Sequence, residues 1–337
     1  MVGADGQWPL PWLDVPLAQV LSAERAHAWM LHGPQGVGQF ELAMTVAQAW
    51  LCERDQAGRR PCGACAACRL VQAHSHPDLM VVMPQATALA LGWDSAVQEG
   101  DSEPRGAKTK PSKEIKVDAV RDAVAFAQVT SARGGVKVVV LHPAEQMNDI
   151  AANTLLKTLE EPPGRTRFVL SVAAPQALPP TVRSRCQSLA IGLPPTAMAA
   201  EWLTGHGVDG AECLLAGAGG QPLLALEWAR AGVDAQAWTR LPGQVRQGQV
   251  AGLVDWPLPR VIDALQKLCH DAACVAAGAP ARYFPAASVP GDASLPALAA
   301  WMRELARAAR HAEHPWNGGL MAQSLVQQGQ RALQSCT

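Results

Sequence analysis

Four cysteines lie between Cys52 and Cys68, and three of them, Cys62, Cys65 and Cys68, form a C-x2-C-x2-C run. Thiolates at that spacing sit on one short knuckle, and four of them close a tetrahedral structural zinc site. Cys52 is the fourth cysteine, and His74 and His76 are rivals for its position. An iron–sulfur cluster run would continue into Cys-Pro, whereas Arg69 to Gln72 reads RLVQ, so zinc fits better. A closed four-thiolate site has no open coordination position for water, so it stabilises a fold and does not catalyse.

The second group with chemistry in it is HGPQGVGQF, His32 to Phe40, which fits G-x-x-x-x-G at Gly33 and Gly38. A phosphate-binding loop of this form uses backbone N–H groups and a helix N-terminus as the cradle, a Lys for the terminal phosphates and a Ser or Thr for magnesium. Gln39 and Phe40 occupy those last two positions. Each missing charge-assisted bond removes on the order of 1.5–3 kcal/mol. After the apolar run VKVVVL, where an acidic pair would support magnesium and attacking water, the chain has His142 and Pro143. The expectation is a nucleotide-shaped loop with no bound nucleotide.

These groups need elements to hold them. AWML before the loop and FELAMTVAQAWL after it read as strand, loop and helix, and further strands are expected at Leu79 to Met83, Val136 to Leu141 and Arg167 to Val172. Strands alternating with helical segments imply parallel pairing and a doubly wound α/β domain. Asp94 to Ser112 is polar and rich in Gly, Pro and Ser, which predicts a mobile insertion. Beyond Pro194 no strand is expected. Leu258, Val261, Ile262, Leu265, Leu268 and Cys269, then Trp301, Met302, Leu305 and Ala309, follow helical spacing as core stripes.

The chain as a whole has 337 residues, 49% hydrophobic and 17% charged, with a formal net charge of −1. That is enough apolar surface for two or three folded domains and excludes a disordered chain. It also excludes a surface given over to phosphate binding; only Asp101 to Arg121 carries a local excess, +2, including Lys108, Lys110, Lys113 and Lys116. No apolar run is long enough to span a bilayer, and MVGADGQWPLPW has no signal-like core, so a cytoplasmic protein is expected. The remaining cysteines, Cys186, Cys213, Cys269, Cys274 and Cys336, are expected to be small buried hydrophobes.

The most specific segment is NDIAANTLLKTLEEPPGRTRFVLSVAAPQALPPTVRSRC, Asn148 to Cys186. Asn148 can cap a helix bearing Ala152, Leu155, Leu156 and Leu159 as its apolar stripe, ended by Pro162 and Pro163, with Glu160 and Glu161 at its C-terminus. LLKTLEEPP and the SRC triplet at Ser184 to Cys186 resemble the signature of the AAA+ clamp-loader subunits of bacterial DNA polymerase III, at motif level from about Leu10 to Gln187. The resemblance implies a RecA-like AAA+ parallel-sheet domain over 1–192, with a zinc module at 52–68 and the insertion at 94–112. A helical lid over 193–235 and an all-helical collar over 236–337 would follow.

It implies further that Cys52 completes the zinc set and that Arg185 is an arginine finger presented to ATP on a neighbouring subunit. Arg183 is the residue with which it could be confused. The family's sensor positions fall at Val172 or Ala173 and at Leu223, none of which can bond a phosphate through its side chain. Nucleotide-contacting positions in cis are therefore degenerate while the trans-acting one is kept. The implied partners are gamma/tau and delta subunits in a hetero-oligomeric ring, primed DNA through that assembly, and a sliding clamp only indirectly. Two other readings are an AAA+ subunit that itself binds and hydrolyses ATP, and a zinc-ribbon protein that binds nucleic acid alone.

Overall fold

The structure is a computed structural model that describes residues 1–23, 25–54, 60–93, 111–311 and 317–334. The chain divides into two compact units, Met1–Leu193 and Pro194–Thr337. Most of the predicted insertion, residues 94–110 with Lys108 and Lys110, lies outside the described residues, as does Cys336.

In the first unit β1 (Ala28–His32), β2 (Leu79–Val82), β3 (Lys137–Leu141), β4 (Thr166–Val172) and β5 (Gln187–Ala190) form one sheet in the order β2-β3-β4-β1-β5. All four pairings are parallel. β3 is buried at every residue, as expected of a strand covered on both faces. β5 was not anticipated. It is a mostly exposed edge strand, and QSLA lacks the apolar run that marks the interior ones.

The helices of this unit are α1 (Asp14–Ser22), α2 (Gln39–Leu51), α3 (Ala66–Gln72), α4 (Gln85–Ala90), α5 (Val117–Gln128), α6 (Asp149–Glu160) and α7 (Pro180–Arg183). α2 begins directly after Gly38, whose φ of +101° is left-handed. A Cβ there would lie 2.6 Å from Leu10 Cδ1, so only glycine fits this turn. On α6, Asn148 Oδ1 accepts the Ala151 N–H at 2.9 Å, the expected N-cap. Ala152, Leu155 and Leu159 are fully buried, and Leu156 packs partly against the same core.

The second unit is all helical among its described residues: α8 (Thr196–Gly205), α9 (Ala211–Gly217), α10 (Pro222–Arg230), α11 (Ala235–Arg246), α12 (Leu258–Ala276), α13 (Leu295–Arg310) and α14 (Gly318–Leu333). One core runs from Ala199 to Leu333. Trp238 is fully buried in it, stacked on Phe284 at 4.5 Å and donating its indole N–H to Tyr283 O at 2.9 Å. The α12 stripe is buried apart from Leu258, which packs at the edge. On α13 Ala309 is exposed and ends the stripe early. Of the scattered cysteines among the described residues, Cys269 is buried and Cys186, Cys213 and Cys274 are intermediate. No described helix is long and apolar enough to cross a membrane.

Candidate functional site

Three features of the first unit carry chemistry: the cysteine knuckle, the glycine loop and the Arg185 turn. The knuckle is held by two helices. Cys52 is the C-cap of α2, Cys65 is the N-cap of α3, and Cys68 sits in the first turn of α3. Gly63, at φ +72°, lets the connecting turn press on the N-terminal segment; a Cβ would lie 1.9 Å from Gly3 O. Gln72 fixes that contact by donating to Val2 O and Gly63 O, both at 2.8 Å.

The four sulfurs all lie within 4.8 Å of one another. Cys62 to Cys68 and Cys52 to Cys65 are each 3.9 Å, and these two pairs are opposite edges of the tetrahedron. A zinc ion with Zn–S of about 2.3 Å requires edges of about 3.8 Å. Backbone N–H groups of Cys65 and Cys68 donate to the sulfurs of Cys62 and Cys65 at 3.3 and 3.4 Å, orienting the ligands from outside. Burial pushes the Cys52 and Cys68 thiols up. Burial opposes ionisation of Cys62 as well, but hydrogen bonds from the Ala64 and Cys65 backbone and from Cys52 and Cys65 bring it down to about 6. Four such thiols can hold a divalent cation. The rival histidines are engaged elsewhere: His76 Nδ1 accepts the Asp78 N–H at 3.0 Å, and His74 stacks on Trp93 at 3.7 Å.

The glycine loop follows β1 at the C-terminal end of the sheet, the edge where open α/β folds bind ligands. Gln39 turns back into it: its side-chain amide donates to Gly33 O and, at 2.7 Å, to Pro34 O. Trp12 donates to Val37 O at 2.8 Å. Phe40 stacks on His142 with ring centroids 4.4 Å apart and meets Trp93 edge-on at 6.1 Å. Where a metal-supporting acid would stand after β3, the His142 imidazole is hydrogen-bonded to Ser171 Oγ at 2.9 Å. Burial pushes His142 down to about 4, so it is a neutral ring at pH 7. The N–H groups of Ala173 and Ala174, beyond β4, both donate to Glu145 Oε1, at 2.8 and 3.3 Å. Glu145 is a residue that sequence reading passed over. Nothing in its spacing announced that a carboxylate of this chain would lie against the amides after β4.

Arg185 lies between α7 and β5, at the other end of the sheet. β5 runs parallel to β1 from Gln187, paired with Trp29, to Ala190, paired with His32. The residues before Gln187 are therefore separated from the loop after His32 by the strand length, at least about 10 Å. The Arg185 guanidinium donates through Nε to Glu160 Oε1 at 2.6 Å, through Nη2 to the same oxygen, and through Nη1 to Thr181 O at 2.8 Å and Ser184 Oγ at 3.3 Å. The two motifs LLKTLEEPP and SRC thus meet in one ion pair. Arg183 is half-buried with Nε directed inward. Leu223 sits in the first turn of α10 in the second unit, half-buried.

A family model described as DNA polymerase III, delta subunit, matches residues 17–194. That span contains all three features and covers more than half the chain. The chain belongs to the delta-prime family of DNA polymerase III clamp-loader subunits. Delta-prime of Pseudomonas aeruginosa is 40% identical over 220 residues, 64% of this chain and 60% of that protein. Delta-prime of Escherichia coli is 30% identical over 279 residues, 76% of each chain. The tau subunit of Escherichia coli is 32% identical over 171 residues, half of this chain and 22% of that protein. The chain thus spans three fifths of the first of these delta-prime relatives and three quarters of the second. The family model's match ends at Pro194, the first residue of the second compact unit, whereas the similarity to the Escherichia coli protein, over 76% of this chain, runs on into that unit.

Proposed function

We propose that this chain is a clamp-loader subunit that neither binds nor hydrolyses ATP and that supplies Arg185 to ATP held by an adjoining subunit. The observation that carries this is the placement of Arg185 at the end of the sheet opposite the chain's own glycine loop. A guanidinium there is out of reach of a phosphate in cis and is available, partly exposed, to one in trans. An arginine is suited to the role because its permanent charge and forked donors stabilise the negative charge of a phosphoryl group in transfer.

The rest of the reading follows from family membership. The chain would sit in a ring with gamma/tau and delta subunits, its residues 193–235 serving as a lid and 236–337 as a collar that joins the subunits. The ring would load a sliding clamp onto primed DNA in the cytoplasm, with the clamp touched indirectly by this subunit. Zinc held by Cys52, Cys62, Cys65 and Cys68 would be structural, tying the ends of α2 and α3 together, and takes no part in hydrolysis.

The test is Arg185→Ala in a complex reconstituted from this chain and its partner subunits. Assembly stays intact on gel filtration, while DNA-stimulated ATP hydrolysis at the adjoining site falls about 10³-fold, the low end for trans-acting arginines. Unchanged turnover in the assembled complex would overturn the assignment.

A further inference from the structure

The guanidinium of Arg185 does not hang free. Arginine has five N–H donors, and all three of its nitrogens are used inside this chain: Nε and Nη2 on Glu160 Oε1, Nη1 on Thr181 O and Ser184 Oγ. One edge is gripped by a carboxylate at the last residue of α6, and the remaining nitrogen by the α7 turn. α6 is itself anchored, through its Asn148 cap, its buried stripe and the His27 Nε2 contact to Leu159 O at 2.9 Å. Glu160 is therefore a fixed point on a rigid helix, although the dipole at a helix C-terminus disfavours a carboxylate there. A nearby cation offsets that penalty.

Resting on the reading of Arg185 as a trans-acting finger, we propose that Glu160 is its positioning residue, orienting the guanidinium plane before the neighbour's ATP arrives. By this count the two grips leave one Nη2–H uncommitted, which is the donor available to a phosphate oxygen across the boundary. A long flexible side chain loses rotamer freedom when it is fixed. Fixing it in advance removes that cost from the chemical step, which is how preorganised charge accelerates a reaction. The pair is partly exposed, with Arg185 at 31% and Glu160 at 46%, so its effect is modest compared with that of the cation itself.

The experiment measures kcat and KM for ATP in the reconstituted complex with clamp and primed DNA. Glu160→Ala lowers kcat at the affected site about 3–10-fold, with KM changed less than about twofold, because binding is largely the neighbour's task. Glu160→Gln restores most of the loss, since its carbonyl oxygen accepts the same two N–H bonds. Added to Arg185→Ala, Glu160→Ala produces no further fall, the non-additivity of residues acting as one unit. Glu161→Ala, one residue further on, is the control and leaves turnover unchanged. If Arg185→Ala reduces turnover but Glu160→Ala leaves it unchanged or raises it, the positioning role is wrong and the finger stands. If Arg185→Ala itself has no effect, both fail. A loss in Glu160→Ala that Glu160→Gln does not recover, or that adds to the loss in Arg185→Ala, also overturns the proposal.

Discussion

The cysteine knuckle and the glycine loop are both ligand-shaped motifs on α2, one at each end of it, and they differ in where their polar groups point. In the knuckle the four sulfurs lie within 4.8 Å of one another, with two opposite edges of 3.9 Å, leaving a volume that an ion of zinc's size fits. Around the loop, polar side chains are turned onto the chain itself. Gln39 occupies the Gly33 and Pro34 carbonyls, Glu145 the amides beyond β4, and Phe40 and His142 stack where a phosphate and its metal would be approached. A site with a ligand to hold keeps its donors directed at the ligand. In the reading proposed above, the loop is a site without a ligand, and polar groups beside it are paired within the chain because buried polar groups left unpaired are costly.

The sharpest way to break this contrast is to strip the knuckle of the metal it is proposed to hold. Chelation, or Cys68→Ser at the fully buried ligand, is expected to destabilise the first unit by about 3–5 kcal/mol, since metal binding to a site made by folding is folding energy. For a unit of this size the melting temperature falls on the order of 10 °C. Circular dichroism melts beside a metal assay measure it. A first unit that melts identically with and without chelator, or that carries no zinc as purified, would reduce the knuckle to four ordinary thiols.

The contrast was only half legible in the sequence. C-x2-C-x2-C announces a tetrahedral site because thiol spacing is local, with Cys52 as its fourth member implied by the family resemblance, and the parallel strands read clearly because runs such as VKVVVL are buried on both faces. Gln39 and Phe40 announce what the loop lacks. What replaces it was invisible: through the tertiary fold Trp93 meets Phe40, Ser171 meets His142 and Glu145 meets the amides after β4, and no period or motif links these residues to the loop. β5 was missed for a related reason. Its residues are mostly exposed, so its position is set by backbone pairing with β1 and not by hydrophobic pattern. The Arg185–Glu160 pair likewise joins two motifs that were read separately, 25 positions apart in sequence.

A second test concerns the imidazole that fills the loop's metal side. Burial lowers His142 to about 4 in the folded state, against about 6.5 unfolded. The unfolded chain therefore binds more protons between those values. The stabilisation from a neutral His142 is complete above pH 6.5 and is lost as pH falls towards 4, by at most about 3 kcal/mol. His142→Phe keeps a ring against Phe40 but cannot titrate, and its urea midpoint should fall less steeply over that window than the wild-type midpoint. Taking the difference between the two proteins removes the acid lability they share at the cysteines. Parallel curves would show that His142 is solvated, and the loop more open than its packing implies.

The smallest expected effect is the most exacting test of the loop. Gln39→Lys with Phe40→Thr restores the letters of a phosphate-binding loop, G-x-x-x-x-G-K-T. Were the rest of the site in place, two charge-assisted contacts at about 1.5–3 kcal/mol each would raise ATP affinity by roughly 10²–10⁴-fold. The rest is not in place. His142 and Pro143 follow β3 without an acid, and the amides of Ala173 and Ala174 already hold the Glu145 carboxylate, whose charge would also repel a phosphate. Equilibrium dialysis of the double variant should therefore give an ATP affinity within about twofold of the wild type, with a Kd weaker than about 1 mM for both. Micromolar binding by the variant would mean that two side chains alone separate this loop from a working one. Micromolar binding by the wild type would mean that the internal contacts of Gln39 and Glu145 give way to nucleotide, and the loop would then belong with the knuckle as a site that still holds its ligand.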